Sequence, residues 1–288
     1  MVSIFKRIAR QQPKNMKLQT RMYPFLLFFP ILFSTMCKKS ALVTPPPTTP
    51  RVTDTLPALQ YQLVWADEFN GTSIDTTNWN FEKGGNGWGN NEKEYYQEEN
   101  ATIADGNLVI TAKKESRNGN PYTSSRMTTQ GKREFTYGRL EARIKLPVGQ
   151  GLWPAFWALG TNIKTVGWPT SGEIDVMEHI NADNLIYGTL HWNNNGHVSS
   201  GDKMPSTPSE YHVYAVEWDA NAIRWYVDSL KFHEVPIVGG VNNTDAFHKP
   251  FFLLLNLAVG GNWPGQTVDD TKFPARLYVD YVRVYQKK

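Results

Sequence analysis

The sequence predicts an all-β protein, built as a sandwich or jelly roll of antiparallel sheets. Three observations carry this expectation. Short runs of β-branched and aromatic residues recur along the chain, separated by Gly, Pro and Asn. Several of these runs alternate apolar and polar side chains, the period of a strand with one face buried. No long stretch shows the 3.6-residue period of an amphipathic helix. Many strands, many turns and few helices fit two sheets packed around one core.

The chain begins differently from the way it continues. Residues 1–36 hold six basic residues (Lys6, Arg7, Arg10, Lys14, Lys17 and Arg21) and no acidic one. An apolar stretch over 23–33, interrupted by Pro24 and Pro30, is too short to span a bilayer, which takes about 20 apolar residues. Residues 1–36 therefore read as an export signal. Cys37 is the only cysteine among 288 residues and stands directly behind that segment. It is expected to carry a lipid; an ordinary signal peptide with an incidental cysteine is the alternative. No disulfide can form within the chain. Residues 38–58 are rich in Pro and Thr and read as a semi-extended tether, leaving 59–288 as the folded body. An exported protein of the cell envelope is expected, held at an outer membrane by lipid or otherwise secreted.

Net charge is +3, but the six leader cations account for it and the remainder carries −3. A weakly acidic body has no electrostatic footprint for nucleic acid. Ten Trp are present, many beside Gly, Pro or Asn where loops are expected, which suggests flat exposed surfaces for a ligand.

Within the body, 139–146 (RLEARIKL) alternates strictly and predicts a half-buried strand with Arg139, Glu141, Arg143 and Lys145 on the outer face. Residues 211–218 and 223–228 also alternate, and Asp219-Ala220-Asn221-Ala222 joins them as a hairpin. The run 251–259 (FFLLLNLAV) is nearly all apolar and predicts a strand covered on both faces. Residues 276–286 (RLYVDYVRVYQ) predict a closing strand.

The chemistry centres on Gly172-Glu173-Ile174-Asp175-Val176-Met177-Glu178-His179. In a regular strand Glu173 and Asp175 share a face. Glu178, an odd number of positions from Glu173, would then point into the core, where an unpaired carboxylate costs several kcal/mol or loses its charge. A one-residue bulge at Val176 or Met177 removes the conflict and returns Glu178 to the face of the other two acids. Glu173 and Glu178 are then about 13 Å apart at Cα, and side chains leaning together can bring their carboxyls to roughly 5–5.5 Å, the separation of a retaining glycosidase. A solvated acidic strand face is the plainer reading of the same spacing. Aromatics in Trp153-Pro154-Ala155-Phe156-Trp157 and His191-Trp192 favour the catalytic one, since indole faces suit the C–H faces of sugars. His179 is expected to face away from Glu178, and no histidine shows zinc-ligand spacing.

Taken with Val64-Trp65-Ala66-Asp67-Glu68-Phe69, Trp88-Gly89-Asn90-Asn91-Glu92, Tyr137-Gly138-Arg139-Leu140-Glu141-Ala142-Arg143, Gly188-Thr189-Leu190-His191-Trp192, Asn256-Leu257-Ala258-Val259-Gly260-Gly261-Asn262-Trp263-Pro264-Gly265 and Val279-Asp280-Tyr281-Val282-Arg283-Val284-Tyr285, the acid motif resembles the laminarinase-like members of glycoside hydrolase family 16. The resemblance implies a concanavalin-like β-jelly roll of two curved antiparallel sheets with a concave glycan cleft. It implies Glu173 as nucleophile, Glu178 as acid/base and Asp175 as the assisting carboxylate. Two residues, Val176 and Met177, stand between Asp175 and Glu178, the bulged form of the motif typical of endo-1,3-β-glucanases. Sugar contacts are implied for Asn90, Arg126, Trp153, Trp157 and His191, with Trp168 and Trp263 at the cleft rim. A structural calcium on the far side is implied at Glu68, Gly106 and Asp280; catalysis requires no cofactor. A monomer acting on β-glucan is expected, touching a membrane only through its lipid. Mixed-linkage β-1,3-1,4-glucan or another polysaccharide is the alternative substrate, and a non-catalytic surface glycan-binding protein the remote one.

Overall fold

Alternation along each strand assigns one set of side chains to a shared interior and the other to solvent or to a cleft. The computed structural model describes residues 61–288; the export segment, Cys37 and the tether lie outside the described residues. The strands in chain order are β1 (Tyr61–Asp67), β2 (Asn80–Glu82), β3 (Glu94–Tyr96), β4 (Ala101–Ala104), β5 (Asn107–Ala112) and β6 (Tyr122–Ser124). There follow β7 (Arg126–Thr128), β8 (Gly138–Lys145), β9 (Leu152–Gly160), β10 (Glu173–Glu178), β11 (Leu185–Asn193) and β12 (His197–Pro205). The last are β13 (His212–Trp218), β14 (Ala222–Val227), β15 (Leu230–Pro236), β16 (Phe251–Val259) and β17 (Ala275–Lys287).

Two large antiparallel sheets result. The first runs β15-β14-β13-β8-β17-β5-β4, with β1 also paired to β17. The second runs β12-β11-β10-β9-β16-β7-β2 and carries the cleft. A small parallel pair, β3 and β6, stands apart. Among the described residues, helix is limited to the α-turn Ile163–Val166 and three 3₁₀ segments, and no helix is long and apolar enough to cross a membrane.

The core lies between the sheets. Phe156, Ile174, Val176, Met177, Leu190, Leu253 and Leu255 of the second sheet meet Leu140, Ile144, Tyr214, Val216, Trp225, Leu277 and Val282 of the first. The strand β16 is buried along its whole length, as its composition predicts. Its odd-numbered members join the main core, while Phe252 and Leu254 pack with Leu159, Trp157 and Ile163 on the other side. The hairpin between β13 and β14 is closed by Asp219, whose Oδ1 accepts from the Asn221 and Ala222 amides at 2.8 and 3.1 Å.

Strand β8 corrects the expectation of a solvated polar face. Arg139 is 5% exposed and Glu141 fully buried, joined by Arg139 Nε donating to Glu141 Oε2 at 2.7 Å. The strand lies between β13 and β17, so its outer face is flanked on both sides. Glu217 pairs with the same guanidinium at 3.3 Å, and the Tyr226 ring lies 5.6 Å from it. A charge so enclosed needs such a partner.

Phe251 is fully buried, stacked at 5.8 Å on Phe247 and edge-on at 5.3 Å to Trp218. Phe251→Ala should destabilise the fold by about 3–5 kcal/mol in urea unfolding, the usual cost of emptying such a site. A loss under about 1 kcal/mol would show that the two sheets do not depend on this contact.

Candidate active site

Strand β10 lies between β9 and β11 near the centre of the second sheet, and its register breaks on both sides. Against β9, Asp175 pairs with Trp157 and Met177 with Phe156, so Val176 is the extra residue. Against β11, Asp175 pairs with Thr189 and Glu178 with Tyr187. This is the one-residue bulge that the spacing requires. Val176 and Met177 both point into the core, 1% and 0% exposed, and Glu178 returns to the cleft face with Glu173 and Asp175. Gly172 opens the strand at φ 78°, and a Cβ there would lie 2.9 Å from the Phe251 ring.

The cleft encloses about 630 Å³. All three acids line it, as do Asn90, Arg126, Trp153, Trp157, Trp168, His191 and Trp263. Indole donors fix two of the acids: Trp168 Nε1 donates to Glu173 Oε2 at 2.8 Å and Trp153 Nε1 to Glu178 Oε1 at 2.9 Å. Asp175 shares a hydrogen bond with Glu173, and His191 Nε2 lies 3.1 Å from Asp175 Oδ2. The Arg126 guanidinium sits 4.9 Å from the Trp88 ring centre and 4.8 Å from that of Trp157, and pairs with Glu82. Trp263 meets Trp153 edge-on at 5.7 Å and Tyr187 at 4.9 Å.

The cleft also contains residues that are not among the site residues expected from the sequence. His197 on β12 lies 2.9 Å from His191 Nδ1 through its Nε2 and packs on Trp168 at 4.6 Å. Asn256 on β16 accepts from Trp157 Nε1 at 2.7 Å and donates to Tyr96 Oη at 3.2 Å. Tyr96 in turn donates to Glu92 at 2.9 Å, and Asn90 Nδ2 to the other Glu92 oxygen at 3.3 Å. Alternation in β12 is the signal that could have found His197, and a single polar residue in the apolar run of β16 the one that could have found Asn256. Trp192 moves the other way. Expected among the cleft aromatics, it is 7% exposed in the core and donates to the Asn242 carbonyl at 2.8 Å, because its neighbour His191 takes the cleft face. His179 is buried away from the cleft, its Nε2 3.0 Å from the Asp183 carbonyl.

Burial is the largest influence on all three acids. It pushes Glu173 up to about 8 from an ordinary 4.5; the Asp175 charge adds to the rise, and His191, the Trp168 N–H and Arg126 oppose it. Burial also lifts Asp175 to about 8, against the hydrogen bond with Glu173. Glu178 is held well above 4.5 by burial and then by the charge of Asp175, with the Trp153 N–H opposing. Three carboxyls so close cannot all be ionised. Glu178 is set to keep a proton and donate it, while Glu173, whose rise the Trp168 N–H and Arg126 oppose, attacks once it has given up its proton.

On the far side, both carboxylates of the implied calcium set are engaged by arginines. Glu68 is held fork to fork by Arg283 at 2.7 and 2.9 Å, and Asp280 by Arg143 at 2.7 Å. Each carboxylate already faces a guanidinium, so this donor set does not fit a calcium ion, which takes 6–8 oxygen ligands.

Raised acid pKa values have a stability sign. The folded protein holds protons that the unfolded chain releases near 4.5, so stability falls as pH rises from there through about 8. Glu173→Gln removes one such titration. Its melting temperature should match that of wild type near pH 4 and exceed it by a few degrees near pH 9. A gap that does not grow with pH would contradict the burial described here.

Comparison with known proteins agrees with this geometry. The signature described as Glycosyl hydrolases family 16 matches residues 89–283. The Beta-glucanase of Rhodothermus marinus is 41% identical over 80% of this chain and 86% of its own length. The Clotting factor G alpha subunit of Tachypleus tridentatus is 47% identical over 79% of this chain, which spans only 34% of that longer protein. The crystal structure of an endo-beta-1,3-glucanase from Pyrococcus furiosus superposes with a TM-score of 0.73 at 44% identity, covering 79% of this chain and 95% of that one. With its acid motif, its bulge and its two-sheet fold all accounted for, the chain belongs to glycosyl hydrolase family 16.

Proposed function

We propose that this chain hydrolyses internal β-1,3 bonds of glucan with retention of configuration. The bulge at Val176 carries the reading, because it places Glu178 beside Glu173 and Asp175 in a cleft lined by Trp88, Trp153, Trp157, Trp168 and Trp263. Five indoles offer flat apolar faces to successive sugar rings. Glu178 protonates the leaving glycosidic oxygen while Glu173 attacks the anomeric carbon, and Asp175 with His191 orients the nucleophile. Glu178, now ionised, takes a proton from water as that water releases the sugar from Glu173. The β-glucanase and endo-β-1,3-glucanase named above support β-glucan as the substrate class.

Glu173→Gln and Glu178→Gln should each lower turnover on laminarin about 1,000-fold or more without loss of fold, within the range for removing a catalytic acid or nucleophile. Near-normal turnover in either variant would refute the assignment. The product pattern on laminarin set against barley mixed-linkage glucan decides the linkage: the β-1,3 reading expects faster cleavage of laminarin, and the reverse order would move the preference to mixed-linkage glucan.

The basic and apolar leader ending at Cys37 supports export and attachment to the cell envelope by a lipid. A palmitate analogue fed to expressing cells should label the wild-type protein and not Cys37→Ser, which should move to the soluble fraction. Equal labelling of both, or of neither, would exclude the anchor.

A further inference from the structure

We infer that Trp225, on the sheet that takes no part in the cleft, is a positioning residue for catalysis: its indole N–H fixes the bulge that sets Glu178 against Glu173. The inference rests on the catalytic reading of those acids.

Trp225 belongs to β14 and is fully buried. Its Nε1 crosses the core and donates to the backbone carbonyl of Asp175 at 2.7 Å. Asp175 is the last residue before the register shifts against both β9 and β11. A bulge disrupts the local ladder, and its extra residue can be taken up at more than one place. Moving it by one position exchanges the faces of the residues between. A donor held rigidly by the opposite sheet selects one of those arrangements, since abandoning it strands a buried carbonyl.

Two further observations show that the indole's place is built. Gly188 lies opposite the bulge, between Thr189, which pairs with Asp175, and Tyr187, which pairs with Glu178. A Cβ on Gly188 would stand 2.3 Å from Trp225 Cδ1 and 2.9 Å from the Phe232 ring, so only the absence of a side chain leaves room for the indole. On the other sheet, β14 has its own register shift against β15 between Trp225 and Tyr226, and the His233 ring packs on the indole at 5.0 Å. One hydrogen bond thus ties an irregularity in one sheet to an irregularity in the other. Each glutamate has its own indole donor, Trp168 for Glu173 and Trp153 for Glu178, but only Glu178 follows the bulge, so its backbone moves when the bulge moves.

Trp225→Phe keeps an aromatic ring but removes the donor, together with part of the indole's volume. On laminarin its kcat should fall about 10- to 100-fold with KM within about threefold, the effect of a displacement on the order of 1 Å at a reacting group. Loss of packing alone would lower the melting temperature without this split. A second readout separates them further. An aryl laminaribioside with a good leaving group needs no proton from Glu178 in the first step, so its kcat/KM should fall at least about tenfold less than that for laminarin. Gly188→Ala, pressing on the indole, should give the same pattern.

Equal losses on both substrates, or a kcat within about threefold of wild type, would overturn the inference. In the wild-type protein the Trp225 indole proton should exchange with solvent as slowly as core amides. Fast exchange would overturn it whether or not the variants fold. An inactive wild type would sink the catalytic reading, whereas an active wild type beside an unaffected Trp225→Phe would sink this inference alone.

Discussion

One extra residue in β10 is the constraint on which the site depends. Without it, the odd spacing between Glu173 and Glu178 sends the third acid into an interior already filled by Ile174, Val176, Met177 and Leu190. With it, two consecutive apolar residues face inward and three acids face one cleft. The same residue insertion therefore satisfies the core and assembles the chemistry. Neighbouring features fit it: the indole donors of Trp153 and Trp168 meet the acids because the acids share a face, and Gly188, across from the insertion, has no side chain because the Trp225 indole fills that space.

The acids are held against their own electrostatic interest. Burial raises all three above ordinary carboxylate values and the charge of Asp175 adds to the rise at both glutamates, while the compensating groups are distributed unevenly. Trp168 and Arg126 oppose the rise at Glu173 and His191 acts on both glutamates, whereas Glu178 faces two other carboxyls and one indole N–H. That asymmetry divides two chemically identical side chains into a nucleophile and a proton donor. The fold around them can tolerate the cost because the inter-sheet core is large and continuous, with β16 buried from end to end.

Much of this was legible in the sequence, for reasons that can be named. Period-two alternation gave the strands, and the mismatch between that period and the Glu173–Glu178 spacing gave the bulge. Motif resemblance marked seven further residues that the structure sets along the cleft. What stayed hidden depends on contacts across the fold. The burial of Arg139 and Glu141 follows from the strands flanking β8, which no local pattern reports. Trp192 exchanged its expected place for the core because only one of two adjacent aromatic rings can face the cleft. His197, Asn256 and Trp225 lie on strands distant in sequence from the acids. Strand β17 holds a second case of odd spacing: Val279 and Val282 both face the core, and the register shifts between them at Asp280. The rule that revealed the catalytic bulge would have revealed this one too.

The most direct measurement is a crystal structure of the Glu178→Gln variant with a bound β-1,3-glucan oligosaccharide. It should show the side chain of residue 178 within hydrogen-bond reach of a glycosidic oxygen, and Glu173 beneath the anomeric carbon of the same linkage. A side chain at 178 turned into the core, or a sugar chain that passes the two positions without presenting one linkage to both, would contradict the account.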